Sequence, residues 1–470
     1  MIETDNISIS AELQQAVRAD LAWHYRIIPN KLDTDAYSFY IDKEQDLQIA
    51  SEELNALYGC SVELLPTDSI VIQRALGRFF RKAGNKNQLS FDKSVDFVDR
   101  IIQDANHLGS SDIHIEIYNE KARVRIRIDG HLIERFVIDK NEYSELINKV
   151  KIRSKLDISE KRLPQDGRIY YETFDIRVSI LPTLYGEKVV MRILGKDASS
   201  LQIADLGMSD FDLSNYLEGI KKPNGILLIS GPTGSGKTTT LYATLKLLND
   251  EKRNIVTVED PIEYTLDGIN QVQLKEQIGL TFTSALRSFL RQDPDVIMLG
   301  EIRDAETAQM AIRAALTGHL VLSTIHTNSA WGTVSRLKDM GVPPFLLSGT
   351  LNSSVAQRLV RKLCKKCKTE KKLDLSIWPK SVSSDLAPST HFEAVGCDDC
   401  HYTGYVGRTA IYEVIPIDVE LADCIKSGED KVSHLLKNKG IRSLGDQALE
   451  LLNTGISSLE ELYPLIMEIA

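Results

Sequence analysis

Four short runs, GILLIS (225–230), NIVTVE (254–259), DVIMLG (295–300) and LVLSTI (320–325), are apolar at successive positions rather than at alternate ones. That pattern belongs to strands buried on both faces, as parallel strands are between layers of helix. Helix-period segments such as TTLYATLKLL separate them, which predicts an α/β domain. Upstream the pattern changes. SVDFVDRIIQDANHLG (94–109) repeats Val95, Val98, Ile101, Ile102 and Ala105 at helical spacing, whereas DIHIEIY and KARVRIRI alternate with period two. Asp129-Gly130 before HLIERFVI predicts a tight hairpin turn. A further strand-rich stretch, 161–194, carries Arg162, Arg168, Arg177 and Arg192 at strand or turn positions.

The first 82 residues mix strand-like YSFYI and SVELL with the helical TDSIVIQRALGRFFRK, where Thr67 or Asp68 would cap a face of Ile72, Ala75, Leu76, Phe79 and Phe80. The polar KAGNKNQLS (82–90) reads as a linker and DASSLQIADLGMSD (197–210) as a second connection. Three units follow: 1–82, a small α/β domain suited to partner docking; 93–205, an arginine-bearing α+β domain; and 206–470. Within the last, LNSSVAQRLVRKLCKKCK (351–368) predicts an amphipathic helix, with Val355, Leu359 and Leu363 inside and Arg361, Lys362, Lys365, Lys366 and Lys368 outside.

With 470 residues, 43% of them hydrophobic, the chain has material for several cores. A net charge of -10 and a pI near 5.5 exclude a broad phosphate-tracking surface for nucleic acid. No apolar run approaches the ~18 residues that span a bilayer. The start, MIETDNISIS, lacks a signal-peptide layout, so the expected location is cytoplasmic, held at a membrane only through a partner.

The chemistry centres on GPTGSGKTTT (231–240), which fits G-x-x-x-x-G-K-[ST] between a strand and a helix. In such a loop, Gly231, Pro232, Thr233, Gly234, Ser235, Gly236, Lys237, Thr238 and Thr239 surround the phosphates, offering backbone N–H groups at every position but Pro232. The glycines let the backbone approach, Lys237 reaches the β/γ-phosphates, and the Thr238 hydroxyl ligates Mg²⁺. Two strands deliver carboxylates: Glu259, before Asp260 and Pro261, and Glu301, which would hold Mg²⁺ through water or polarise the attacking water. Gly300 stands where the commonest motif of this kind has Asp. His326, at the end of LVLSTI, is placed to sense the γ-phosphate, while His319 at its start would contact a neighbouring element. Arg287 and Arg291, one turn apart in TSALRSFLRQDPD, would face phosphate or another subunit.

Cys364, Cys367, Cys397 and Cys400 form two CxxC pairs, the ligand set of a closed structural Zn²⁺ site. Between them SIWPKSVSSDLAPST is too polar for a core of its own, so metal is expected to hold it. Cys60 and Cys424 read as inert buried thiols. The basic run near the cysteines reads as a solvated face, with contact to acidic phospholipid as the alternative.

Together GPTGSGKTTT, TVEDPIEY, MLGEIRDAETA and TGHLVLSTIHTN resemble the Walker A, Asp box, Walker B and His box of the type II/type IV secretion ATPases. RLPQDGRI and DIRVS resemble their arginine-bearing unit, and the CxxC pairs followed by GYVGRTAIYEV are similar to the assembly and secretion branch. The resemblance implies a PAS-like second domain and a RecA-like P-loop domain with a zinc insert and helical end. It also implies a hexameric Mg-ATP motor on the inner membrane, anchored by a membrane protein through its first domain and powering pseudopilus assembly and protein export. On that likeness Arg177 and Arg192 contact phosphate, and Arg287 and Arg291 are needed for activity. The alternatives are a type IV pilus assembly ATPase, a nucleic-acid translocase, or an ATP-gated scaffold without turnover.

Overall fold

A computed structural model describes residues 17–32, 36–80, 97–119, 121–195, 202–429 and 431–469, with 7, 9 and 13. The linker expected at 82–90 and Val95 lie outside the described residues, as do 197–201 of the second connection.

The first unit is a three-stranded sheet, β1 (Ile27–Leu32), β2 (Ala36–Asp42) and β3 (Ser61–Thr67), in that order. Between β2 and β3 runs the helix Leu47–Tyr58, which permits their parallel pairing. Asp68, not Thr67, caps the next helix, Ser69–Phe79, by accepting from Ile70 N–H. Ile72, Ala75, Leu76 and Phe80 are buried against the sheet and Phe79 is partly so.

The second unit is a six-stranded antiparallel sheet of β4 (Asp112–Ile117), β5 (Ala122–Ile128), β6 (His131–Ile138), β7 (Gln165–Tyr170), β8 (Phe174–Thr183) and β9 (Gly186–Gly195), ordered β6-β5-β4-β9-β8-β7. The β5–β6 turn is the expected one, with Asp129 and Gly130 both at positive φ. Helices Phe97–His107 and Lys140–Arg153 contribute to its core. Polar alternates of β4 and β5 neutralise one another: Glu116, 3% exposed, accepts from Arg125 at 2.8 Å and pairs with Arg123 and Lys188.

The third unit holds β10 (Gly225–Ser230), β11 (Ile255–Glu259), β12 (Asn270–Gln273), β13 (Val296–Leu299), β14 (Leu320–Ile325) and β15 (Leu351–Leu363). A hairpin of β16 (Thr369–Lys372) and β17 (Thr390–Glu393) precedes β18 (Tyr405–Pro416). The sheet runs β12-β11-β13-β14-β10-β15-β18, parallel except for the β15–β18 pair. Ile226 and Leu228 enter one apolar cluster, Leu227 and Ile229 another on the opposite face. The four apolar runs are therefore buried on both faces, as expected.

Two expectations fail here. Residues 351–363 form the longest strand of the sheet, not an amphipathic helix. Val355, Leu359 and Leu363 are four apart, a spacing close to one helical turn and also a multiple of the strand period. Pairing with β10 and β18 on its two sides decides for the strand. The loop between the cysteine pairs has no core of its own, as expected, but Trp378 and Val382 anchor it in the main apolar cluster. Cys60 and Cys424 are half-buried rather than buried.

Candidate functional site

β10 ends at Ser230, and the chain turns through Gly231, Gly234 and Gly236 before the helix Lys237–Leu248. Gly236 has φ 88°, and a β-carbon there would meet Gln357 Nε2 at 2.8 Å. The backbone is thus shaped into a cradle that side chains would fill. Lys237 is buried, and its Nζ donates to Gly231 O at 2.8 Å and Pro232 O at 3.0 Å. Burial lowers its pKa, opposed by the charge of Glu301. The Ser235 hydroxyl is buried with no hydrogen-bond partner among the described residues. A desolvated cation and an orphaned hydroxyl at a helix N-terminus fit a polyphosphate.

The loop opens onto a cleft of about 1000 Å³ between the second and third units, within the size range of nucleotide pockets. Thr238, Glu259, Glu301 and His326 line it from the third unit, Arg192 and Arg127 from the second. Glu301 pairs with Arg303, and His326 Nε2 lies 3.2 Å from its Oε2. Burial works to raise the Glu301 pKa, but Arg303 and His326 outweigh it and hold the carboxyl below its ordinary value. It faces the cleft ionised, ready to receive a cation or a proton. The Thr238 hydroxyl and the Glu301 carboxylate supply the hard oxygen donors that Mg²⁺ takes.

Glu259 is differently placed. It is 3% exposed, and its oxygens accept from Tyr242 Oη, from Thr257 Oγ1 at 2.6 Å and from Gln271 Nε2 at 3.1 Å. Tyr242 Oη also accepts from Glu263 N–H at 3.3 Å. Glu263 in turn pairs with Arg177 at 3.1 Å, and Arg177 donates to Ile262 O. This chain of contacts ties the helix after the phosphate loop to β8 of the second unit. Arg192 donates to Asp112 at 2.8 Å at the cleft wall, and Asp129 accepts from Gly407 N–H at 2.7 Å.

The remaining expected residues lie elsewhere. Arg287 is exposed and pairs with Glu306 at 3.0 Å. The helix carrying it ends at Phe289, so Arg291 lies in the turn beyond, donating to Arg287 O. Neither lines the cleft. Arg162 is exposed beside Glu160. His319 Nδ1 lies 2.8 Å from Ala314 O of the adjacent helix, the neighbour contact expected. Sequence reasoning passed over Arg303, Arg127 and Arg408 and set Arg361 on a solvated helix face; all but Arg303 line the cleft. Arg303 was legible, two residues past Glu301 in the same strand-end loop.

The four sulfurs of Cys364, Cys367, Cys397 and Cys400 lie within 4.8 Å of one another, and three of the pairs are 3.8 Å apart. A thiolate tetrahedron with metal–sulfur bonds of about 2.3 Å has edges of about 3.8 Å. Backbone N–H groups of Gly396, Cys397 and Gly404 point at Cys367 and Cys400 sulfurs, as thiolates require. The donor set fits Zn²⁺.

Residues 87–464 match the family model described as Type II/IV secretion system protein. The chain is 46% identical over 382 residues to the type II secretion system ATPase E of Vibrio cholerae serotype O1, covering 80% of this chain and 75% of that one. It is 43% identical over 450 residues to the type IV pilus assembly ATPase PilB of Myxococcus xanthus, covering 88% and 79%. Among solved structures, the pilus retraction motor PilT with bound ADP superposes with a TM-score of 0.55 at 26% identity, over 79% of this chain and 97% of that one. Among the described residues no helix is long and apolar enough to cross a membrane. With the phosphate loop, the carboxylates and the match over most of its length in agreement, the chain is an ATPase belonging to the Type II/IV secretion system protein family.

Proposed function

We propose that this chain is the Mg-ATP-driven motor of type II secretion, working as a hexamer at the cytoplasmic face of the inner membrane to drive pseudopilus assembly and protein export. The observation that carries the reading is the shared cleft, in which Lys237, Glu301 and Arg192 come from two units that can close on a triphosphate. Residues 1–82 dock on an inner-membrane protein, 93–205 supply arginines, and 206–470 hold the ATPase core with the zinc insert at 364–400. Contact with acidic phospholipid would come through the lysines beside the cysteines; nucleic acid has no role.

The backbone N–H groups available between 231 and 239, all but that of Pro232, hold the phosphates, and Lys237 leaves its carbonyl partners for the β/γ-phosphates. Thr238, with Glu301 acting through water, would hold Mg²⁺, which would supply charge neutralisation at those phosphates. Glu301 orients and deprotonates the attacking water, and His326, already on Glu301, reports the γ-phosphate. Glu259 serves as the second polarising carboxylate once Tyr242 yields one of its oxygens. Arg177 and Arg192 move onto the phosphates from the second unit. Arg287 and Arg291, outside the cleft of their own chain, are displayed toward the next subunit's site. Four thiolates would leave Zn²⁺ no open position, so the metal they would hold is structural.

The test is magnesium-dependent phosphate release by the full chain as monomer and as enforced hexamer. Turnover that rises on hexamerisation supports the reading; none in either state sinks it. The identity to a pilus assembly ATPase favours a second reading, in which the product is a type IV pilus. Restoration of pilus formation, and not of secretion, in strains lacking the respective motors would select it.

A further inference from the structure

Away from the nucleotide cleft, the tetracysteine turn touches the first unit. Immediately after Cys400, His401 and Tyr402 have φ of 51° and 60°, values that non-glycine residues seldom adopt. Tyr402 N–H donates to Cys397 O at 2.8 Å, and Gly404 N–H donates to Cys400 Sγ at 3.2 Å. The turn that gathers the sulfurs therefore also presents the Tyr402 ring.

That ring lies against the first unit. Its centroid is 5.2 Å from that of Trp23, tilted at 57°, a separation at which aromatic pairs attract. A β-carbon at Gly77 would come within 3.0 Å of Tyr402 Cβ. Gly77 occupies the last turn of the helix Ser69–Phe79, where alanine would be the better helix former. Close approach of Tyr402 accounts for the glycine. One turn earlier Gln73 Nε2 donates to Gly396 O at 3.5 Å, and Trp23 donates its indole N–H to Phe80 O, joining the notch to the end of the same helix.

We propose that the tetracysteine turn is the seat of the N-terminal unit, with Tyr402 wedged into a notch made by Gly77, Gln73 and Trp23, so that metal at the four thiols decides whether the unit is held against the ATPase body. The surface is specific for its own chain's partner, a small residue flanked by an aromatic ring and an amide donor. It rests on the reading of the cysteines as a Zn²⁺ site. Without the ion the thiols lose their common centre, the His401–Tyr402 backbone relaxes, and the wedge is withdrawn.

Hydrogen exchange by mass spectrometry on the full chain, with zinc content measured in parallel, tests this. Tyr402→Ala and Gly77→Glu should each retain about one zinc per chain and accelerate exchange across 69–79 by about tenfold, the helix losing the protection that docking adds. Tyr402→Phe, which keeps the ring, should exchange as wild type does. Chelation of wild type should reproduce the acceleration. Unchanged exchange in the helix Leu47–Tyr58 shows that the first unit is still folded. Wild-type exchange at 69–79 in both zinc-loaded variants would overturn the seat; a wild-type chain that binds no zinc would overturn the metal dependence while the variants still decide the contact.

Discussion

The phosphate loop and the tetracysteine turn are both short, glycine-punctuated and suited to hold an ion, yet they are stabilised in opposite ways. The phosphate loop is supported by its own protein: Lys237 binds two of its carbonyls, and Thr240 Oγ1 donates to Gln357 Oε1 at 2.9 Å beneath it. Four sulfurs at van der Waals contact stabilise nothing until an ion joins them. A preformed loop can release and rebind its ligand each cycle, whereas a turn built by its ligand must keep it. The difference separates a working site from a structural one without appeal to motif names.

If that contrast is right, Lys237→Ala should lower turnover by about 10³-fold, near 4 kcal/mol, with little change in melting temperature, because removing a desolvated cation offsets the loss of its two carbonyl bonds, as phosphate-release assays and calorimetry would read. Cys397→Ser should do the reverse. Zinc affinity should fall by about 100-fold or more and the 369–393 hairpin should become sensitive to protease, while ATP affinity stays within about twofold. Joint loss of both properties in either variant would mean that loop and turn are one cooperative unit.

Smaller effects sharpen the contrast with groups that stabilise each other and need no ligand. Burial alone would raise the Glu116 pKa, but Arg125 and Lys188 hold it down to about 2, against 4.5 unperturbed. Since the folded value is the lower one, the stability is complete above pH ~4.5 and lost as pH falls toward ~2. Glu116→Gln should therefore cost about 2 kcal/mol at neutral pH and less in acid, measured by denaturant unfolding across that range. Tyr242→Phe removes one donor to Glu259 and should cost about 1 kcal/mol. If it also changes kcat without changing KM, the network reaches the reacting groups.

Much of this was legible because the relevant physics is local. GILLIS, NIVTVE, DVIMLG and LVLSTI gave their strands, and Asp129-Gly130 its turn, from burial pattern and backbone preference alone. The loop residues 231–239 follow from one motif whose strand and helix lie beside it. What escaped is non-local. Residues 351–363 become a strand through partners as distant as Tyr405–Pro416, and nothing within the segment separates its four-residue spacing from a helix. Trp378 and Val382 look stranded in a polar loop until the main core is seen beneath them. That Glu259 is enclosed by Tyr242, Thr257 and Gln271 depends on three elements meeting, and the sequence shows only that a carboxylate follows a strand.

β15 has a mechanical consequence. Gln357 touches the phosphate loop, and Cys364 follows the strand's last residue, Leu363. Seven residues of extended chain span about 23 Å, braced along their length by β18. A tilt of some three degrees at the nucleotide end would swing the far end by about 1 Å, the scale at which packed contacts switch rather than stretch. The strand is a stiff lever, with the phosphate loop at its fulcrum and the four cysteines at its tip.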